Sequence, residues 1–333
     1  MARRLTLDFL KTASGSGLLL AGAALLAIVW ANSPWAGRYF AFIGAEFPVR
    51  LGGFAVTKTV GRWVSDALMA VFFLVLGMQI KFEALRGELS SPRRLGLPLA
   101  AALGGLVVPA LTFLALNLGV PRTAGGWATP MATDVGVALA VLTVVGPRLP
   151  AALRIFLLTV ALADTLVAVV INGAIFAGDV HFKALAGAGL TLALLAVMGW
   201  WKRAPFLFYA AGFVVVWAFT LESGVSTALA GVACAFTVPV GARRLGQDSV
   251  LTYFMDSLHP YVAYAVLPLF ALTSAGFAFR GHSPEQLLAP APLGVGLGLL
   301  IGKPAGVFGF SVLAAALKIA RRPPGGTWIE LMG

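Results

Sequence analysis

The feature that most constrains this chain is a succession of long apolar runs. A helix that crosses the hydrocarbon core of a bilayer needs about 20 apolar residues. Ten runs approach that length: 14–32, 64–80, 95–117, 126–145, 155–178, 184–201, 205–220, 224–240, 257–279 and 289–317. Since only helices and closed barrels satisfy their backbone hydrogen bonds in lipid, the runs predict an all-α polytopic membrane protein of about ten spans. We expect a single integral membrane domain over residues 1–333, surrounded by the lipid bilayer.

The composition excludes several classes of protein. Hydrophobic residues make up 59% of the 333 residues and charged residues only 11%, whereas soluble domains contain about 25% charged residues. This excludes a soluble enzyme, a disordered chain and a nucleic-acid-binding domain, so nucleic acid is not an expected partner despite the net charge of +11. The one cysteine, Cys234, excludes an internal disulfide and a thiolate metal site. The sequence also lacks the motifs of zinc proteases, phosphate loops and dinucleotide sites, so we expect neither an enzyme nor a cofactor.

The basic residues indicate which side of the membrane each loop faces. If both termini lie inside, sixteen Lys and Arg residues fall in inner segments and seven in outer segments. This excess predicts a cytoplasmic N-terminus. Arg3 and Arg4 before the first run would also suit a signal peptide, but that run is longer than a usual signal core and nine more runs follow it.

The outer segment 33–63 is the long loop of the first part of the chain. Its stretch 45–58 has the pattern of two short strands, one on each side of Gly52-Gly53. This pattern predicts a small outer β-hairpin. Asp66 follows Ser65 at the start of the next apolar run, so we expect it to be the N-cap of the second spanning helix.

Three charged residues lie near the middle of apolar runs: Asp134, Asp164 and Lys303. A charge at the bilayer centre costs about 2.5–3.5 kcal/mol on insertion scales, and such residues usually pair and mark ion or proton pathways. We interpret the three residues as part of an ion or proton pathway. A purely structural salt bridge, such as one between Asp164 and Lys303, is the alternative.

Asp134 is flanked by residues that disturb a helix, namely Pro130 and Gly136. A helix break here would place backbone carbonyls and hydroxyls at membrane depth, where secondary transporters bind coupling ions. An ordinary proline kink is the alternative. Lys303 can release a proton when a nearby carboxylate binds a metal cation instead. One carboxylate with two mutually exclusive ligands, at a site alternately open to each side of the membrane, is the minimal requirement of a cation/proton antiporter.

Several stretches around these residues recur together in one known family. They are 66–73, 132–134, 153–164, 223–225, 227–232, 258–270 and 300–304, and they span nearly the whole chain in a fixed order. In this combination the sequence resembles the NhaA-type bacterial Na+/H+ antiporters. The resemblance implies an NhaA-like inverted-repeat fold in the bacterial inner membrane, and a homodimer formed through the hairpin 45–58.

The resemblance also implies roles for individual residues. The candidate ion-binding and proton-transfer residues are Asp164, Thr165, Asp134, Thr133 and Lys303. Thr133 and Asp134 match the unwound fourth helix, and Lys303 matches a lysine that pairs with the carboxylate at Asp164, where Na+ would bind. Glu83, Gln79 and Asp256 match a cytoplasmic funnel linked to the response to pH.

The sequence departs from the family at informative positions. The family has two adjacent aspartates, and this chain has Thr165 at the position of the second. Threonine can offer a hydroxyl to Na+, but it cannot titrate as a carboxylate does. An acid of the funnel is replaced by Gln79, whereas Glu83 is retained. Members continue for two further helices beyond the point that corresponds to Gly333, so the resemblance implies an incomplete inverted repeat.

The resemblance therefore implies a protein that expels Na+ or Li+ in exchange for protons and serves pH and sodium homeostasis. Thr165 and the incomplete inverted repeat leave an alternative. It is a transport-deficient relative that acts as a structural or regulatory membrane protein. A transporter of another solute, with Asp164 and Lys303 as a structural bridge, is a third possibility.

Overall fold

The computed structural model describes residues 2–51, 54–86, 92–131, 151–175, 180–201, 204–241, 249–279, 281, 283–318 and 320. These residues are mostly helical, at 83%. The helices are α1 (Ala2–Ala31), α2 (Ala36–Gly44), α3 (Val60–Arg86), α4 (Pro92–Asn117), α5 (Pro121–Ala124), α6 (Ala151–Ile175), α7 (Phe182–Trp201), α8 (Phe206–Ser223), α9 (Thr227–Thr237), α10 (Val250–Tyr261), α11 (Leu267–Ser274), α12 (Pro284–Leu287) and α13 (Pro290–Ala316). A 3-10 helix, Gly125–Met131, follows α5, and a π-helical turn joins α10 to α11.

The described residues contain five helices long and apolar enough to cross a membrane: Val60–Arg86, Gly96–Asn117, Phe182–Trp201, Phe206–Ser223 and Pro290–Ala316. The bent pair of α1 and α2, with 115° between its halves, makes a sixth candidate if it is one span. These helices expose apolar side chains such as Leu190 and Leu300, at 75% and 78%, as expected for contact with lipid. The prediction of a polytopic helical protein is therefore confirmed, whereas the number of about ten spans is not.

The chain divides into two compact units. The first contains residues 1–14, 83–172 and 282–333, and the second contains residues 15–82 and 173–281. Both units are assembled from separate stretches of sequence. The single transporter domain over residues 1–333 stays a prediction.

The first unit is built where α4, α6 and α13 meet. Its main buried cluster consists of Leu97, Ala101, Ala102, Leu153, Phe156, Val160, Ala314 and Ala320. A neighbouring cluster adds the 3-10 helix and consists of Leu106, Ala110, Ala128, Met131 and Ala168. Alanine is frequent in both clusters, and small side chains let helices pack closely in membranes, where van der Waals contact drives association.

The second unit contains the β-hairpin. Strand β1 (Glu46–Leu51) pairs antiparallel with β2 (Phe54–Thr59), so that Glu46 lies opposite Thr59 and Leu51 opposite Phe54. This confirms the hairpin predicted over 45–58. The expected turn residues Gly52-Gly53 lie outside the described residues.

The expectation that Asp66 is a helix N-cap is wrong. Helix α3 begins at Val60, directly after β2, and the Thr59 side chain accepts a hydrogen bond from the Arg62 amide at 3.3 Å. Asp66 instead lies in a π-helical turn inside α3, where its Oδ2 accepts from Lys58 Nζ at 2.5 Å. The apolar run marks only the apolar part of the helix, whereas the helix itself starts earlier, at a threonine suited to capping.

Candidate ion-binding site

Asp164 lies in the middle of α6, within the first unit. Its side chain is only 2% exposed, and the neighbouring Thr165 is also buried. A carboxylate removed from water is stable only when it is paired and hydrogen-bonded. The position of Asp164 on an apolar helix therefore requires a cation close to it.

Lys303 of α13 supplies that cation. Its Nζ lies 2.7 Å from Asp164 Oδ2, and it also donates to the backbone carbonyl oxygen of Met131 at 2.7 Å. The Lys303 side chain is 15% exposed, so the pair is shielded from solvent. The structure thus brings together two of the three charged residues that the sequence places at membrane depth.

A local irregularity of α13 immediately precedes Lys303. The segment Gly298–Gly302 forms a π-helical turn, and the amide of Lys303 donates to the carbonyl of Gly298, five residues earlier. Pro304 follows, and it has no amide hydrogen to continue the regular pattern. Single π-helical turns inside α-helices are frequent at functional sites.

Met131 ends the 3-10 helix Gly125–Met131, which contains Pro130. The last carbonyls of a helix lack donors within that helix and accept from other groups, and here the Met131 carbonyl accepts from Lys303. Thr133 and Asp134, the predicted partners at a helix break, lie outside the described residues, as does the rest of 132–150. Their part in the site stays a prediction.

The crossing of α4 and α13 sets the position of Lys303. A Cβ atom added at Gly104 would overlap the backbone carbonyl oxygen of Gly306, and one added at Gly306 would overlap that of Gly104. The two backbones are therefore in direct contact one helical turn beyond Lys303. Glycine pairs of this kind give the closest approach that helices achieve in a membrane.

The arrangement places two oxygen atoms around one positive charge. An ammonium group is a donor without acceptor capacity, and hard metal cations take the same carboxylate and carbonyl oxygens as ligands. Oδ2 of Asp164 and the carbonyl of Met131 can therefore hold either a charged lysine or a metal cation. The lysine ammonium and the metal cation cannot occupy the same position at the same time. This is the competition that cation/proton exchange requires.

The three predicted funnel residues are distributed over two helices. Gln79 and Glu83 lie four residues apart on α3, one turn from each other, and both are half-buried. Asp256 lies on α10 and is exposed. Their role in the response to pH stays a prediction.

Sequence reasoning missed two contributors to the site. The Met131 carbonyl is a backbone atom, and the only sequence signal near it is Pro130, the residue before it. Gly105 was one small residue among many in α4. A Cβ atom built at Gly105 would lie 3.9 Å from Lys303 Cε and 4.0 Å from Asp164 Oδ1, so this glycine borders the ion pair.

A family model described as Na+/H+ antiporter 1 matches residues 7–333. The chain belongs to this family. The family comprises antiporters rather than enzymes, which agrees with the lack of enzyme motifs in the sequence and with a multi-pass membrane protein.

Individual members of the family match over almost the same range. The chain is 43% identical over 332 residues to the Na(+)/H(+) antiporter NhaA of Rhodospirillum rubrum, which covers 98% of this chain and 82% of the relative. It is 41% identical over 326 residues to Na(+)/H(+) antiporter NhaA 2 of Erythrobacter litoralis, covering 98% and 81%. The NhaA of Pseudomonas putida is 39% identical over 334 residues, covering 99% and 84%. The NhaA resemblance drawn from short motifs is thereby confirmed across the chain.

Proposed function

We propose that this protein is a secondary active transporter of the bacterial inner membrane that expels Na+ or Li+ in exchange for protons. The observation that carries the proposal is the Lys303 ammonium, held 2.7 Å from both the buried Asp164 Oδ2 and the Met131 carbonyl. The relatives named as Na+/H+ antiporters support it, at about 40% identity over 98% of the chain. Transport uses the inward proton gradient and serves pH and sodium homeostasis.

The exchange follows from the competition at Asp164. In the proton-loaded state the Lys303 ammonium neutralises the Asp164 carboxylate. When Lys303 releases its proton to the cytoplasm, the neutral amine no longer balances the carboxylate, and Na+ from the cytoplasm binds to the oxygens that the ammonium held. When a proton returns to Lys303 on the other side of the membrane, the restored positive charge expels Na+. Thr165 and the predicted ligands Thr133 and Asp134 would complete the oxygen shell of the cation.

The test of this function uses inside-out membrane vesicles with an acidified lumen. Addition of Na+, and separately of Li+, is expected to make the lumen more alkaline in vesicles that contain the protein. Absence of a response, with the protein shown to be folded in the membrane, would contradict the proposal and favour the transport-deficient alternative. A response to another solute without dependence on Na+ or Li+ would favour the third possibility, a structural Asp164–Lys303 bridge.

We expect the exchange to be electroneutral. The pair of Asp164 and Lys303 has no net charge when Lys303 is protonated, and none when Na+ has replaced that proton. Thr165 cannot carry a second proton. In proteoliposomes, a K+ gradient with valinomycin sets the membrane potential, and the initial exchange rate should be equal at either sign of the potential.

The matched variant for this measurement is Thr165→Asp, which adds a second proton-carrying group beside Asp164. This variant is expected to exchange ions at a rate that depends on the potential. A wild-type rate that changes steeply with the potential would show that further protons move with each cycle.

We also propose a homodimer formed through the hairpin, with a cytoplasmic N-terminus. The hairpin is held firmly to its own unit, because Trp63 Nε1 donates to the Phe47 carbonyl at 2.8 Å and Lys58 pairs with Asp66. Thr57→Cys, placed on β2 in a Cys234→Ala background, should give a covalent dimer on oxidation. Leu190→Cys, on the exposed apolar surface of α7, is the control that should stay monomeric.

A further inference from the structure

Two adjacent glycines of α4 have different surroundings. A Cβ atom at Gly104 would overlap the backbone of Gly306, so close packing of the two helices explains this glycine. Among the described residues outside its own stretch of helix, a Cβ atom at Gly105 would meet no backbone; its nearest neighbour is Val307 Cγ2 at 3.0 Å, the end of a side chain. Helix packing alone therefore requires glycine at 104 and not at 105.

The other neighbours of Gly105 belong to the ion pair. The Cβ position lies 3.9 Å from Lys303 Cε and 4.0 Å from Asp164 Oδ1. Oδ1 is the carboxylate oxygen other than the one that accepts from Lys303 in the ion pair. A methyl group at this position would occupy the space directly beside both charged side chains.

The backbone at Gly105 also offers an acceptor. Four residues later in α4 stands Pro109, which has no amide hydrogen, so the Gly105 carbonyl lacks the donor that a regular helix provides. Pro109 lies on the face of α4 that meets α13, since a Cβ atom at Gly302 would be 3.2 Å from Pro109 Cα. The face of α4 that borders the ion pair thus has no side chain at 105 and carries an oxygen atom that has spare acceptor capacity.

From these observations we infer that Gly105 is a specificity-determining residue that sets the size of the cation accepted at Asp164. The inference rests on the proposed cation exchange. A cation at a carboxylate needs room for its remaining oxygen ligands, and the larger Na+ needs more room than Li+. The missing side chain at 105 provides this room beside Asp164 and Lys303.

The test is Gly105→Ala, measured as the KM values for Na+ and Li+ in vesicles and as their Kd values on the purified protein by calorimetry. One methylene or methyl group in a well-fitted pocket changes discrimination by about 10-fold or more. We expect the KM and Kd for Na+ to rise about 10-fold, while those for Li+ rise far less. A Na+ to Li+ ratio equal to that of the wild type would overturn the inference.

Two further variants separate the site from packing. Gly105→Ala combined with Val307→Ala removes the 3.0 Å contact but keeps the methyl group beside the ion pair, so the changed Na+ to Li+ ratio should persist. Return of the ratio to the wild-type value would show that Gly105 only serves packing and would overturn the inference. Gly296→Ala on α13, where a Cβ atom meets nothing within 4 Å, should leave the ratio unchanged.

The binding measurement distinguishes this inference from the proposed function. Wild-type protein that binds both ions without exchanging them would contradict antiport, yet a shifted ratio of Kd values in Gly105→Ala would still support the role of Gly105. Wild-type protein that binds neither ion would overturn both.

Discussion

Asp164→Asn is expected to abolish the alkalinisation that Na+ or Li+ causes in acidified inside-out vesicles. Asparagine keeps the shape of the side chain but removes its charge, so neither the Lys303 ammonium nor a metal cation finds a counter-charge at this position. Because Asp164 is 2% exposed and lies 2.7 Å from Lys303 Nζ, solvent cannot replace the lost carboxylate. Removing one partner of a buried ion pair costs about 3–5 kcal/mol if the other charge stays.

Lys303 can lower this cost by releasing its proton, so we expect the Asp164→Asn protein to fold with reduced thermal stability. Its level in the membrane should be measured together with transport, since loss of the protein would also abolish the signal. Asp66→Asn is the matched control. It removes the carboxylate that pairs with Lys58, in an ion pair whose side chains are 24% and 27% exposed, and should leave transport intact. Transport that persists in Asp164→Asn would refute the role of this carboxylate.

The sequence predicted the site as far as side-chain charge could reveal it. Asp164 and Lys303 are conspicuous because charge in an apolar run is costly, and the structure places them in contact. The Met131 carbonyl and the space at Gly105 could not be predicted in the same way. A backbone oxygen is present at every residue, and a glycine that makes room for an ion has the same sequence signature as one that lets two helices pack.

The fold was predictable where hydropathy carries the information. Apolar runs coincide with each of the five helices that are long and apolar enough to cross a membrane, and the strand pattern around Gly52-Gly53 located the hairpin. The start of α3 was placed too late, because Thr59 caps the helix within polar sequence that the apolar run does not include. The assembly of the first unit from residues far apart in sequence also lies beyond hydropathy, since it depends on which small residues meet across helices.

Gly306→Ala is the second change for which we expect a large effect, this time on folding. The added Cβ would overlap the carbonyl oxygen of Gly104, and the next atoms in its way are the Gly104 carbonyl carbon at 2.7 Å and Val108 Cβ at 2.9 Å. Backbone atoms cannot rotate away as a side chain can, so α4 and α13 would have to separate. Overpacking costs about 1–3 kcal/mol and occasionally more, and we expect a value at or above the upper end here.

The measurement is the amount of folded protein in detergent and its thermal stability by size-exclusion chromatography after heating. Gly309→Ala is a close control, because it lies three residues further along α13 and its Cβ would meet nothing within 4 Å. Alanine is favoured over glycine in a helix by about 1 kcal/mol, so this control should be neutral or slightly stabilising. Equal stability of the two variants would show that the helices do not cross at Gly104 and Gly306.

Because Lys303 lies one turn before Gly306, a forced separation of the helices should also weaken the contact between Lys303 and Asp164. Any folded Gly306→Ala protein should therefore exchange Na+ more slowly than the Gly309→Ala protein.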